Sequence, residues 1–435
     1  MPIKINSKEI AKIINGDFIN DSVDVDGISI DSRTIKAGNL FIAISGDRFD
    51  GNDFIKKAYD NGAAVCIGTV PLKTKKPYIL VKDAYQALVD LAIYHRNNSK
   101  FKVIAITGSA GKTTVKEMLK IILQKNYKTF ATAGNLNNEY GVPLSILSAD
   151  GNENYAILEM GANHLLEIKK LSKIAKPDIV AITNILPAHL DGFGSTQNIA
   201  VAKSEIVYGL KKDGSIILNS DSMHYDILLE QIKNKKIITC GTNNNDNFKI
   251  IKNGFVHKNI DYKLSLQIPA SHNFINATIA IAIAQELGQD LKSCLQNIAK
   301  FNTVAGRLEQ KITKNKMVII DDSYNANPES IKSAIDYLMT QKQQQKWFLM
   351  GHMAELGEHS AVLHQEIGLY AKEKKVDKIF VVGQYAAIIR ESFGENCYMD
   401  NVVADINKNS GADVVLLVKG SRSAKMEQYV ESLLC

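Results

Sequence analysis

The residues best suited to chemistry lie in one short run, Thr107-Gly108-Ser109-Ala110-Gly111-Lys112-Thr113-Thr114, between the apolar stretch KVIAIT and the segment KTTVKEMLKIILQK. Glycines at 108 and 111 permit the positive φ angles that turn successive N–H groups into one concavity. A helix starting at the loop's end adds a partial positive charge, and Lys112 adds a full one. The hydroxyl of Thr113 falls where a phosphate-bound Mg²⁺ would sit. Together these are the parts of a phosphate cradle. The strict form of the pattern asks for glycine at 106, which Ile106 occupies. The competing reading is a strand-to-helix turn with a chance Gly-Lys-Thr.

Three further residues deserve the same scrutiny. Glu159 ends the strand candidate YAILEM, at the edge where parallel sheets bind ligands, and its carboxylate suits Mg²⁺. A solvated acid at a strand end is the plainer alternative. His189 follows the next strand candidate in TNILPAHLDGFGS and stands at the same edge, for metal or phosphate contact or as a structural histidine. Lys203 lies in NIAVAKSEIVYGL, and its pattern alone reads as a lysine facing solvent. No Cys–His or Ser–His nucleophile constellation stands out.

These residues need a scaffold. Val115, Met118, Leu119 and Ile122 fall at helical spacing after the loop, predicting an amphipathic helix. Strand candidates KVIAIT, YAILEM, DIVAIT, SIILN and KIITC alternate with helical segments, predicting an α/β fold with a parallel sheet covered by helices. The alternation restarts in MVIIDD, KWFLMG, KIFVVG and DVVLLVKG, predicting a second doubly wound domain. Before residue 98, GISIDSR, NLFIAIS, AAVCIG and YILV mix with the helix candidate AYQALVDLAIYH. The boundaries implied are 1–98, 99–310 and 311–435, within the two to four domains expected for 435 residues. GTNNNDN and QKQQQK read as loops or helix ends.

Composition narrows the classes. The chain is 45% hydrophobic and 23% charged, ordinary for a soluble globular protein. A net charge of +6 without a basic run does not argue for nucleic acid, but suits anionic small substrates. Five scattered cysteines without a C-x-x-C read as reduced thiols and a cytoplasmic setting. The N-terminal stretch carries no secretory apolar region, and no apolar run approaches the roughly 20 residues of a membrane span, so no membrane insertion is expected.

Six stretches in order, DSRTIKAGNLFIAISGDRFDGNDF, NLNNEYGVPL, NILPAHLDGFGS, DDSYNANPES, GHMAELGEHS and VKGSRSAKME, resemble the Mur ligases, ATP-dependent amino-acid-adding enzymes of peptidoglycan synthesis. TGSAGKTT is similar to that family's loop, which also departs from the strict pattern. Within the family the likeness is to ligases joining D-alanyl-D-alanine to UDP-N-acetylmuramoyl-tripeptide through an acyl phosphate. The resemblance implies three domains: an N-terminal UDP-substrate domain, a central P-loop ATPase domain and a C-terminal Rossmann-like dipeptide domain. It implies ATP and Mg²⁺ as cofactors and a bacterial source; a monomer is the separate expectation for its assembly.

Site roles follow from the same resemblance. Gly108 to Thr114 would hold ATP, with Lys112 on the β/γ-phosphates. Thr113, Glu159 and His189 match Mg²⁺ positions. Lys203 matches a lysine carbamylated in several relatives, which would overturn the solvent-facing reading. Asn273 and Asn276 match adenine-contacting asparagines, with helix-start residues as the alternative. Arg307 matches an arginine brought to the phosphates. Asp322 matches a carboxylate near the ribose, with a strand-end turn acid as the alternative. Ser32 and Arg33 fall where the uridine nucleotide is handled. Asn52, His352 and Asp191 depart from the expected His, Asp and Glu. Rival readings are another ligase of the superfamily, adding the third peptide residue or glutamate to folate, and a P-loop ATPase switch. Deleting residues 1–98 is expected to leave a remainder that binds nucleotide but not the UDP-linked acceptor.

Overall fold

Ile106, the residue that breaks the strict loop pattern, is a fully buried strand residue, so the cradle begins only at Gly108. The structure is a computed structural model and describes residues 4–233, 235–268 and 270–435. The central sheet has nine strands: β1 (Lys102–Thr107), β2 (Thr129–Ala131), β3 (Tyr155–Glu159), β4 (Ile179–Ile182), β5 (Ser215–Asn219), β6 (Lys236–Gly241), β7 (Phe248–Ile251), β8 (Gly254–His257) and β9 (Ile260–Lys263). Their order is 9-8-7-6-5-4-1-3-2. Strands β1 to β7 pair parallel, and β8 and β9 close one edge antiparallel. The chain leaves β1 at the point where strand order reverses, and there the loop after β1 has no neighbouring connection crowding it. Strands β2 and β7 to β9 went unmarked in the sequence, because they are short or exposed on a polar edge.

Both faces of β1 are apolar, as a strand covered by helices requires. Val103 and Ala105 face one core, Ile104 and Ile106 the other. Helix α2 (Lys112–Gln124) lays Val115, Leu119 and Ile122 into the second core, where they meet Ala277 and Ile281 of α5 (Ser271–Glu286). The first core carries α3 (Glu167–Ala175) and α4 (Thr196–Ser204), through Ile168, Leu171, Ile199 and Ala202.

That first core does not stop at residue 98. The N-terminal sheet orders its strands Asp17–Ile19, Tyr78–Leu80, Val65–Gly68, Leu40–Ile42 and Ile28–Ser29, the first pair antiparallel and the rest parallel. Its Leu40 and Ile67, and Leu88 and Leu91 of α1 (Ala84–Asn98), belong to one apolar cluster with Ala105, Val142 and Leu158. Deleting residues 1–98 would open this core. Burial of that cluster stabilises both zones together, so the expected nucleotide-binding remainder would have to fold with this surface exposed.

The third sheet contains β10 (Glu309–Ile312), β11 (Val318–Asp322), β12 (Gln345–Met350), β13 (Lys378–Val381), β14 (Cys397–Tyr398) and β15 (Val414–Lys419), ordered 10-11-15-12-13-14. Only β10 runs antiparallel. Strand β12 begins at Gln345, one residue ahead of the expected KWFLMG strand and inside the stretch read as a loop or helix end. Helix α6 (Pro328–Met339) starts in a capping box between Asn327 and Ser330, with Pro328 at its first position. Among the described residues no helix is long and apolar enough to cross a membrane.

Candidate active site

Gly108 has φ +144°, and a Cβ there would meet Thr183 Oγ1 at 2.0 Å. Gly111 has φ +80°, and a Cβ there would meet Asn276 Oδ1 at 2.5 Å. Both positions therefore need glycine for backbone conformation and for close approach. Neighbouring chain holds the loop: Ser109 N–H donates to Asn184 O at 3.0 Å, Ala110 N–H to Asn184 Oδ1 at 2.9 Å, and Thr183 Oγ1 to Ala110 O at 2.5 Å. Helix α2 has no side-chain N-cap. Its first amides, which a helix must satisfy from outside, are left for a ligand.

Glu159 ends β3 in register with Ile106, which puts its carboxylate beside the loop. It is 3% exposed, correcting the reading of a solvated strand-end acid. Oε2 accepts from Thr113 Oγ1 at 2.8 Å, and Oε1 accepts from Asn137 Nδ2 at 2.8 Å. Arg307 Nη2 donates to Thr113 Oγ1 at 3.1 Å. Lys112 Nζ donates to Gly108 O at 2.7 Å. Close packing around its ammonium holds the Lys112 pKa below the lysine norm, Glu159 opposing this and Arg307 adding to it.

Lys203 corrects its pattern. It is 2% exposed, with Nζ donating to Ala162 O at 3.4 Å and lying 5.2 Å from the Phe193 ring centre. Burial first, then repulsion from Lys112, brings its pKa to about 7, with Glu167 and Glu205 opposing. The pattern misled because α4 is covered by the chain between β3 and α3, which no local periodicity reveals. His189 has φ +54° and its ring contacts the Glu355 carboxylate from the C-terminal domain. Neither His189 nor Lys203 bonds to Glu159 here.

Asn273 lies in the first turn of α5 and Asn276 in the second, 7% and 5% exposed; the N-cap is Ala270, so neither asparagine caps the helix. Asp322 ends β11, its carboxylate pairing with Lys419 at 2.5 Å and accepting from Leu308 N–H at 3.2 Å. It is thus more than a turn acid. These residues face one cleft of about 1090 Å³ between the central and C-terminal sheets. Of the residues given a site role, Gly108, Ser32 and Arg33 do not line it. Ser32 is buried and its carbonyl accepts from Asn61, while exposed Arg33 pairs with Asp31 at 2.7 Å. Of the departures, Asn52 bridges Asp50 and Thr69, and His352 bonds to Ser423. Asp191 packs beside Gly357.

Asn137, Asn184, Lys419 and Glu355 were not assigned from sequence. Each stood in a quoted stretch, but a single amide, lysine or loop carboxylate carries no spacing signal of its own.

The cleft can hold a polyphosphate. Free amides, Lys112, Arg307 and Lys419 supply the positive charge, and Thr113 with Glu159 offers two hard oxygens. Among the described residues no three His, Cys, Asp or Glu side chains converge on one point. Thr113 and Glu159 fit Mg²⁺, which takes one or two protein oxygens and completes its shell with phosphate and water.

Profiles of Mur ligase family domains match residues 24–110 (catalytic domain), 106–284 (middle domain) and 306–422 (glutamate ligase domain). The UDP-N-acetylmuramoyl-tripeptide–D-alanyl-D-alanine ligase of Escherichia coli is 33% identical, over 99% of this chain and 98% of its own. The crystal structure of MurF from Acinetobacter baumannii superposes with a TM-score of 0.91 at 31% identity, covering 100% of this chain and 99% of that one. MurF ligase from Thermotoga maritima in complex with ADP gives 0.85 at 28%, covering 94% and 97%. Three family domains match in order and relatives above 30% identity match along the whole length, so the chain belongs to the Mur ligase family.

Proposed function

We propose that this chain joins D-alanyl-D-alanine to UDP-N-acetylmuramoyl-tripeptide at the expense of ATP. The observation that carries this reading is one cleft bringing the phosphate loop, Glu159 and an arginine from the C-terminal side together, in a chain similar end to end to ligases named for that reaction. A P-loop switch would not account for likeness across all three domains. Likeness of this strength to the dipeptide-adding ligases also favours that branch over its superfamily rivals.

A carboxylate is a poor acyl donor because oxide leaves badly. Phosphorylating the acceptor's terminal carboxylate with the γ-phosphate of ATP makes an acyl phosphate. ADP is the leaving group of that transfer; the dipeptide amine then attacks the carbonyl carbon, the tetrahedral intermediate loses a proton from nitrogen to solvent, and phosphate departs. Lys112 and Arg307 spread the charge of the transferring phosphoryl group. Mg²⁺ held by Thr113 and Glu159 would supply charge neutralisation between ATP and the anionic acceptor. Asn273 and Asn276 border the loop on the base side, and Asp322 stands where a ribose would lie. Docking of the C-terminal sheet keeps water from the acyl phosphate. Ser32 and Arg33 serve the uridine end, and the enzyme works in the cytoplasm as a monomer.

The test is ADP release measured with acceptor and dipeptide, each supplied alone and then together. Release requiring both, with the pentapeptide product formed, is expected. Turnover indifferent to dipeptide would overturn the reading.

A further inference from the structure

Strand β11 ends at Asp322, and the residues there grip the segment that joins the central and C-terminal domains. Tyr324 N–H donates to Gly306 O at 3.1 Å. Leu308 N–H donates to Asp322 Oδ1 at 3.2 Å. Between those anchors stands Arg307. Gly306 and Leu308 have φ +69° and +55°, so the backbone turns on both sides of the arginine. Its side chain reaches from this joining segment to the phosphate loop of the central domain, where Nη2 bonds to Thr113 Oγ1 at 3.1 Å. Its Nε is buried without a hydrogen-bond partner among the described residues. Its guanidinium carbon lies 4.3 Å from the centre of the Tyr324 ring.

A long side chain with one hydrogen bond is poorly determined. Arginine has rotamer freedom to lose, and a single contact at its tip does not set the plane of the guanidinium. A ring face at this distance does, because it attracts the cation and fixes its orientation. The other arginine near this ring, Arg422, is farther off at 6.0 Å and is engaged by Glu427 at 3.2 Å.

We propose that Tyr324 is a positioning residue: its ring fixes the Arg307 guanidinium over the phosphate loop, so that the arginine reaches Thr113 only while the C-terminal sheet is docked. This rests on the reading of Arg307 given above. The phenol hydroxyl has no part in it. What matters is an aromatic face, carried on the same strand end that pins the backbone around Arg307.

The test is a double-mutant cycle on the full-length enzyme, read as kcat and as KM for ATP, acceptor and dipeptide. Tyr324→Leu keeps apolar bulk but removes the face. It is expected to lower kcat roughly 3- to 30-fold, the range of a desolvated cation–π contact, with little change in KM for the acceptor or dipeptide. Tyr324→Phe is expected to recover the rate. In the Arg307→Ala background, Tyr324→Leu is expected to cost nothing further. A merely structural role would instead add its cost to that of Arg307→Ala, so a variant that loosens the fold is still informative. Additive losses, an unchanged kcat in Tyr324→Leu, or a Tyr324→Phe as impaired as Tyr324→Leu would each overturn the proposal. If Arg307→Ala alone left kcat unchanged, the failure would lie in the arginine's assigned role.

Discussion

Glu355 of the C-terminal domain meets His189 of the central domain, carboxylate against imidazole, and both residues hold left-handed backbone with φ +62° and +54°. Asp191 N–H adds a bond to Glu355 O at 3.4 Å. The His189 side chain holds the Glu355 carboxyl below its ordinary pKa, against the opposing effect of burial. Such conformations cost on the order of 1–3 kcal/mol each and persist where the surroundings impose them. The pair therefore ties the two domains across the mouth of the cleft. Glu355→Ala is expected to loosen that docking and raise the radius of gyration in small-angle scattering of the ligand-free protein. Scattering identical to the parent would show that the contact holds nothing.

Lys112→Ala should leave the fold intact, because the side chain faces the cleft rather than a core. Its kcat is expected to fall on the order of 10²–10³-fold, the usual loss for one charged contact in a water-excluded site. A circular dichroism melt superimposable on the parent, together with the lost rate, is the anticipated pair of results.

Glu159→Gln keeps the hydrogen bond from Thr113 within reach but removes the charge. The Mg²⁺ concentration giving half-maximal rate is expected to rise at least about tenfold, consistent with losing the one carboxylate beside the loop. An unaltered Mg²⁺ titration would dismiss Glu159 as a ligand.

Lys203 makes a prediction in pH. Burial lowers the pKa of its ammonium to about 7 in the folded protein, against the ordinary lysine value of 10.5. Between those values the unfolded chain binds more protons, so stability rises with pH across the window, and the cost of burial is full below it. In CO₂-free buffer, Lys203→Met should be more stable than the parent at about pH 6, the gap closing by about pH 10. The neutral amine is also the form that adds CO₂, giving a carbamate and a proton. Lys203→Ala should accordingly lose most activity and regain part of it with millimolar short-chain carboxylates, whereas Lys211→Ala, on an exposed ion pair with Asp178, should be nearly silent. A gap independent of pH would contradict the lowered pKa.

Arg96→Ala should be the most destabilising of these changes. Arg96 is 5% exposed on α1 and donates to Ala175 O at 2.8 Å, Lys176 O at 3.1 Å and Phe101 O at 3.3 Å, while pairing with Asp178 at 3.3 Å. It closes the C-terminal end of α3 from the N-terminal zone. Removing it strands the carbonyls of Ala175 and Phe101, while Asp178 keeps Lys211 and Val103 N–H, at a cost of about 2–3 kcal/mol in urea unfolding.

What the sequence by itself determined is local. Glycines at 108 and 111, the apolar run before them and the helical spacing of Val115, Leu119 and Ile122 are enough to specify strand, loop and helix, because each depends on neighbours a few residues away. The strand carrying Glu159 was legible for the same reason. Six ordered stretches made the family legible. Only the tertiary structure decided the rest. Lys203 is buried because a segment some 40 residues earlier covers it. His189 meets Glu355, and Arg307 meets both Thr113 and Tyr324, across gaps in the chain that no periodicity encodes. The N-terminal and central zones read as separate because their strands alternate separately. They share one core because α1 presents Leu88 and Leu91 to it, and which surface receives an apolar helix face is settled by packing.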